Sequence, residues 1–195
     1  PRRSEVSIDE LLRSSVAELG LGERAFSLSL DRDLPLVCVD ATQMERAFVN
    51  VLENAQRHSG GHPVSVRARA VRSLGGVRVA AQAPTAAAPA GVDVSGAAGT
   101  SVAPGEDGFG RIVGHPRGDR VIVRIVDRGP GIPPAQLERV FEPFYRAGTP
   151  GSQHRGSGLG LAIARGFTQA NAGSLHVESL PGQGATFVFE LPLVQ

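Results

Sequence analysis

The 195-residue chain contains no lysine; every one of its 20 basic side chains other than histidine is an arginine. That excludes a P-loop, whose phosphate-binding motif requires a Lys. Cysteine is almost as scarce. A lone Cys38 in the apolar run Leu36-Val37-Cys38-Val39 rules out an internal disulfide, and it reads as a buried, reduced thiol in a cytosolic setting. No apolar run approaches membrane-spanning length, and Pro1-Arg2-Arg3-Ser4-Glu5 leads into no signal-peptide core. Formal net charge is +1 with both signs mixed along the chain, so the basic stripe of a nucleic-acid binder or of an anionic-membrane patch is missing. The expectation is a soluble piece of a longer protein, opening just before an amphipathic segment.

What is present alternates helical and extended patterns. Ile8, Leu11, Leu12, Val16 and Leu19 recur at helical spacing behind a capping signal at Ser7 with Glu10 three residues on. Alternation follows at Phe26, Leu28 and Leu30, with a short strand over Leu36 to Val39. Asp40 or Thr42 caps a helix of roughly Gln43 to His58, which puts Met44, Ala47, Phe48, Val51 and Ala55 on one face. Asn50, Asn54, Arg57 and His58 share a stripe beside it, at i, i+4, i+7 and i+8. Strands over 64–71 and 120–126 flank an Ala, Gly and Pro-rich stretch from Ser73 to about Gly118, which reads as a largely mobile insertion in a single domain. A short helix is expected near Pro134 to Val140, a polar lid from Ala147 to Arg155, a helix over Leu159 to Ala170, and a last hairpin of Ser174 to Ser179 with Ala185 to Leu191. The order predicts a two-layer α/β sandwich, a mixed but mostly antiparallel sheet with helices on one face.

Three segments carry chemistry. Arg155-Gly156-Ser157-Gly158-Leu159-Gly160-Leu161-Ala162 runs into a helix, so glycine backbone N–H groups and the helix N-terminus favour phosphate. Asp127-Arg128-Gly129-Pro130-Gly131-Ile132 ends a strand and offers a carboxylate that can read a base edge. Asn50-Val51-Leu52-Glu53-Asn54-Ala55 supplies paired amides able to hold a hydrated cation. The glycine spacing 156, 158, 160 fails the dinucleotide G-x-G-x-x-G pattern, and a polar loop stands where that motif needs a strand. Phe141 and Phe144 read as core aromatics.

Taken in order, Asn50-x-x-x-Asn54-Ala55-x-Arg57-His58, Asp127-x-Gly129-x-Gly131, Phe141-Glu142-Pro143-Phe144 and Gly156-Ser157-Gly158-Leu159-Gly160-Leu161 resemble the N, G1, F and G2 boxes of the catalytic ATP-binding domain of two-component sensor histidine kinases, with its Bergerat-type fold. Within that family, Leu34 to Asp40 and Phe48 to Ala55 look most like the potassium-responsive KdpD type. The resemblance implies ATP and Mg²⁺ as ligands. Asn54 would coordinate Mg²⁺ with Asn50 in support, Arg57 would contact phosphate, His58 would border adenine, and Asp127 would accept from its exocyclic amine. Gly129 and Gly131 would let the backbone approach the base, and Ile132 also falls among the nucleotide-binding positions. Gly156, Gly158 and Gly160 would line the phosphates beneath the lid, Arg146 would help hold phosphate or stand as a solvated lid charge, and Phe144, Ser157, Leu159 and Leu161 also fall among the nucleotide-binding positions.

One departure bears on function. The family's phospho-accepting histidine sits in a separate helical dimerisation hairpin in an H-[DE]-x-x-x-P-like context, and none of His58, His62, His115, His154 or His176 has those surroundings. The resemblance therefore implies a domain that positions ATP for a histidine on a hairpin of the same parent protein, with a response regulator downstream. By itself it would be a monomer without autokinase activity, lying in the cytoplasm beneath a membrane-anchored parent. Two other functions stay open: a gyrase-like ATPase, which carries Glu where Asn50 stands, and a nucleotide-sensing module without phosphotransfer.

Overall fold

The computed structural model describes residues 1–20, 25–71, 119–146 and 157–193. The expected insertion, the expected lid and Gly156 lie outside them. In chain order the elements are β1 (Ser4–Val6), α1 (Ile8–Glu18), β2 (Phe26–Leu30), β3 (Val37–Val39), α2 (Ala41–His58), β4 (Val64–Val71), β5 (Arg120–Val126), two 3₁₀ turns (Pro134–Gln136 and Arg139–Phe141), α3 (Gly160–Ala170), β6 (Ser174–Ser179) and β7 (Ala185–Pro192). Five strands form the main sheet in the order β2-β4-β5-β7-β6. Only β2 and β4 run parallel, because α2 crosses between them; every other pair is antiparallel.

Strand alternation decides which side of the sheet is apolar. Val64, Val66 and Ala68 of β4, Val121, Val123 and Ile125 of β5, Leu175 and Val177 of β6, and Phe187, Phe189 and Leu191 of β7 are buried in one cluster with residues of α1, α2 and α3. Phe48 of α2 meets Phe189 edge to face, with ring centroids 4.9 Å apart. Residues of opposite parity mix apolar Ile122 and Val188 with charge, and across β5, β7 and β6 they pair Arg120 with Glu190 and Arg124 with Glu178. The result is the α/β sandwich expected from the sequence.

Helix α2 is held at both ends by its own chemistry. The Asp40 carboxylate accepts from the Gln43 N–H at 3.1 Å and caps the first turn, while Arg57 places positive charge in the last. Met44, Ala47, Phe48, Val51, Leu52 and Ala55 are completely buried. Each large apolar side chain contributes about 1.5–3 kcal/mol by burial, so any rotation of the helix would exchange core residues for the Asn50-Asn54 stripe at prohibitive cost.

Two sequence expectations change, and one strand appears that the sequence did not announce. The segment 134–140 is not an α-helix but two 3₁₀ turns, closed by bonds such as Gln136 N–H to the Pro133 carbonyl and Glu142 N–H to the Arg139 carbonyl, at 2.8 and 2.9 Å. The consecutive prolines remove donors, and so short a segment cannot repay α-helix nucleation. Cys38 is half-buried rather than buried, because on β3 it points to the side opposite Val37 and Val39. Strand β1 carries no periodic signal and is defined by antiparallel pairing with β3, Ser4 opposite Val39.

The last rung between β4 and β5 sets Val71 directly opposite Arg120. Replacing residues 73–118 by a short hairpin turn is therefore expected to leave the sheet intact, and loop closure changes by only about 0.6 kcal/mol per doubling of length. A thermal melt followed by circular dichroism should show one cooperative transition near that of the full chain. An insoluble or non-cooperative deletion variant would show that the segment is structural.

Candidate functional site

The apolar face of the sheet and the stripe of α2 beside the core enclose a cavity of about 220 Å³. Helix α2 contributes Asn54, Arg57 and His58; the segment after β5 contributes Asp127, Pro130, Gly131 and Ile132. Val140, Tyr145 and Arg146 close another side, Gly158 and Leu161 stand at the start of α3, and Ala185 and Phe187 of β7 form the floor. Asp127 continues the inward parity of Val121, Val123 and Ile125, which is why its side chain enters the cavity rather than solvent.

Asp127 is 3% exposed. Its Oδ1 accepts from the Gly129 N–H at 2.8 Å and from the Ala185 N–H at 3.2 Å. The Asp127 side chain lines the cavity wall. The backbone around Asp127 is pressed from two directions. A Cβ on Gly129 would lie 2.3 Å from the His58 carbonyl oxygen, and one on Gly184 would lie 2.1 Å from the Asp127 carbonyl oxygen. Both positions accept only glycine, so the loop after β5, the end of α2 and the β6-β7 turn are fixed as one piece.

Burial pushes the Asp127 carboxyl above its ordinary value; the N–H groups of Gly129 and Ala185 and the charge of His58 act in the opposite direction and offset this only in part.

At the other end of the cavity, the Phe144 N–H donates to the Gly158 carbonyl at 3.0 Å, and the Gly160 backbone lies against the Asn50 side chain, 3.5 Å from Asn50 Oδ1 to an added Cβ. Helix α3 grips the preceding turns through Arg165, which pairs with Glu138 at 3.0 Å and stacks over Phe141 at 4.9 Å. Arg139 stacks over Tyr145 at 4.6 Å.

Of the residues expected from sequence, Asn54, Arg57, His58, Asp127, Gly131, Ile132, Arg146, Gly158 and Leu161 converge on the cavity wall. Asn50, Gly129, Ser157, Leu159 and Gly160 lie beside it without lining it: Asn50 meets α3, Gly129 meets α2, and Ser157 Oγ accepts from the Leu159 N–H at 3.3 Å. Phe141 is 6% exposed, as a core aromatic should be. The core reading of Phe144 is corrected: it is 71% exposed with φ of 64°, and it stands off the cavity wall. Sequence reasoning did not single out Pro130, Val140, Tyr145, Ala185 or Phe187. Tyr145 is the one tyrosine in the chain, beside Arg146, and that was the available signal.

The model of the histidine kinase-, DNA gyrase B- and HSP90-like ATPase family matches residues 93–195. The chain belongs to this family. Its similar proteins are sensor kinases of two-component systems. The alginate biosynthesis sensor protein KinB of Pseudomonas aeruginosa is 31% identical over 87% of the chain and 20% of its own length. The sensor protein KdpD of Rathayibacter rathayi is 30% identical over 97% of the chain and 17% of its own length. The chain thus spans about a fifth of the length of these relatives. In fold it is similar to the mycobacterial sensor histidine kinase MprB, at a TM-score of 0.63 and 24% identity over 97% of both chains. A full-length ShkA in complex with AMPPNP superposes at 0.64, with 24% identity, over 99% of this chain and 31% of that one. The family match begins after α2, so Asn54, Arg57 and His58 enter the site through the geometry above.

Because folding raises the Asp127 pKa, its contribution to stability is fully present below the ordinary aspartate value and is lost as pH rises through the raised one. Asp127→Asn is accordingly expected to be at least as stable as the parent at neutral pH, with the difference shrinking on acidification through that raised pKa. Urea titrations across the acid range check this; a deficit of the variant at neutral pH that vanishes in acid would contradict it.

Proposed function

We propose that this chain binds ATP with Mg²⁺ in the cavity and presents the γ-phosphoryl group to a histidine on a separate dimerisation hairpin of its parent sensor kinase. The observation that carries the reading is the convergence on one cavity of a buried carboxylate at one end, an amide and an arginine on one helix face, and the glycine-led start of α3. Asp127 Oδ2 would accept from the adenine amine while Oδ1 stays engaged by the backbone. Arg57 and Arg146 would face phosphate, and His58 would border the base. Asn50, Gly129, Ser157, Leu159, Gly160 and Gly156 belong to the same proposed site as supports and phosphate-side backbone.

The residues suit Mg²⁺ of a particular kind. Among the described residues no three His, Cys, Asp or Glu side chains cluster as a metal cage. Asn54 lines the cavity with a neutral amide oxygen, which fits a cation that keeps waters and takes its remaining ligands from phosphate. Bound there, Mg²⁺ would neutralise charge on the transferring phosphoryl group.

In the transfer, the bond from the γ-phosphorus to the bridging oxygen breaks, a P–N bond to the acceptor imidazole forms, ADP leaves and the imidazole gives up its proton. The domain supplies position and charge, and the hairpin supplies the nucleophile. Asn50 bears on the competing ATPase reading. An amide cannot take a proton from water, so transfer is favoured over hydrolysis. We also infer that the chain is a single catalytic domain interrupted near 73–118, monomeric by itself and cytoplasmic, with a response regulator as the final phosphate acceptor.

Calorimetry is expected to show tighter ATP binding with Mg²⁺ than without. Asn54→Ala should abolish that difference, and Asp127→Asn should lose adenine preference at a cost of roughly 1.5–3 kcal/mol, that of one charge-assisted hydrogen bond. Unchanged binding in both variants would overturn the site.

A second measurement addresses the chemistry. With labelled ATP the chain should neither label itself nor turn over ATP appreciably, and on addition of the parent's hairpin one histidine there should become acid-labile phosphohistidine. Rapid hydrolysis abolished by Asn54→Ala would favour the ATPase, and tight binding without labelling of the hairpin would leave a nucleotide-sensing module.

A further inference from the structure

The loop that carries the base-reading groups is held from outside the cavity by the β6-β7 hairpin. The Ser179 hydroxyl uses both of its capacities there. It accepts from the Ile132 N–H at 2.8 Å and donates to the Gly184 carbonyl at 2.6 Å. Nearby, the Gly182 N–H donates to the Pro130 carbonyl at 2.7 Å and the Asp127 N–H to the Ala185 carbonyl at 2.9 Å. Pro130, Ile132 and Ala185 line the cavity; Ser179 does not. Its hydroxyl is the one side-chain link among these bonds, and Gly184, which it holds, is the residue packed against the Asp127 carbonyl oxygen.

We propose that Ser179 is a positioning residue for nucleotide-base recognition, setting the Gly131-Ile132 end of the loop so that its backbone meets the base beside the Asp127 carboxylate. This rests on the nucleotide-binding reading above. The bond acts at the base end alone, since the phosphate-side groups come from α2, Arg146 and α3, which Ser179 does not bond. Without the hydroxyl, the Ile132 N–H and the Gly184 carbonyl lose a shared partner, and the Gly131-Ile132 end of the loop, beyond the contacts that fix Asp127, loses its side-chain tether to the hairpin.

The test compares Ser179→Ala, Ser179→Thr and Asp127→Asn in the full chain, measuring affinity for ATP and for inorganic tripolyphosphate. Ser179→Ala is expected to weaken ATP by about tenfold, the equivalent of ~1.4 kcal/mol, while leaving tripolyphosphate unchanged. Ser179→Thr, which keeps the hydroxyl, should restore ATP affinity and the slow exchange of the Ile132 amide. Equal weakening of both ligands, or weakened ATP binding by Ser179→Thr with a protected Ile132 amide, would reduce Ser179 to a structural residue and overturn the proposal. Asp127→Asn separates the two levels. If it loses ATP while Ser179→Ala does not, the positioning role fails and the site stands; if neither variant affects ATP, the site reading fails and the positioning role with it.

Discussion

The arrangement depends on backbone contacts closer than any side chain would permit. The His58 carbonyl, the Gly129 backbone, the Asp127 carbonyl and the Gly184 backbone are stacked so tightly that a methyl group at either glycine would collide with a carbonyl oxygen. Three parts of the chain far apart in sequence are thereby locked at one point: the end of α2, the turn after β5 and the β6-β7 turn. A carboxylate placed there is oriented by the fold itself, because its neighbours have no room to shift.

Helix α2 serves this arrangement through its two faces. Phe48 and its neighbours fix the helix against β7, and the same rotation turns Asn54, Arg57 and His58 toward the cavity. Core stability and site geometry are therefore not independent. Loss of Phe48 to alanine would remove about 3–5 kcal/mol of packing and loosen the amide and arginine together. Asp127 shows the opposite relation, since its burial opposes folding at neutral pH while creating the carboxylate that a ligand can meet.

Much of this was legible in the chain because it follows from local periodicity. Alternation located β2, β4 and β5 and the turn signal at Pro181 to Gly184 located the β6-β7 hairpin, helical spacing put Asn50, Asn54, Arg57 and His58 on a common stripe, and the order of the glycine-bearing segments pointed to a family that the 93–195 match supports. What escaped lies in tertiary context. Ala185 and Phe187 read as ordinary strand core, which they also are, and only the register with β5 places them beneath a cavity. Ser179 reads as the end of a strand, since nothing local announces that its hydroxyl reaches Ile132. Phe144 is apolar and so reads as buried, but a hydrogen bond to Gly158 and a left-handed backbone turn it outward. Cys38 follows the parity of a three-residue strand too short to establish a pattern.

The bond between the Phe144 N–H and the Gly158 carbonyl has a polymer-physics consequence. It ties together two points fourteen residues apart, so the intervening chain is a ring closed at its base rather than a free tether. The entropy of closing a ring grows only with the logarithm of its length, about 0.6 kcal/mol for a doubling. Variation in the length of that segment is thus nearly decoupled from the geometry of its base, where Phe144 and Gly158 are joined.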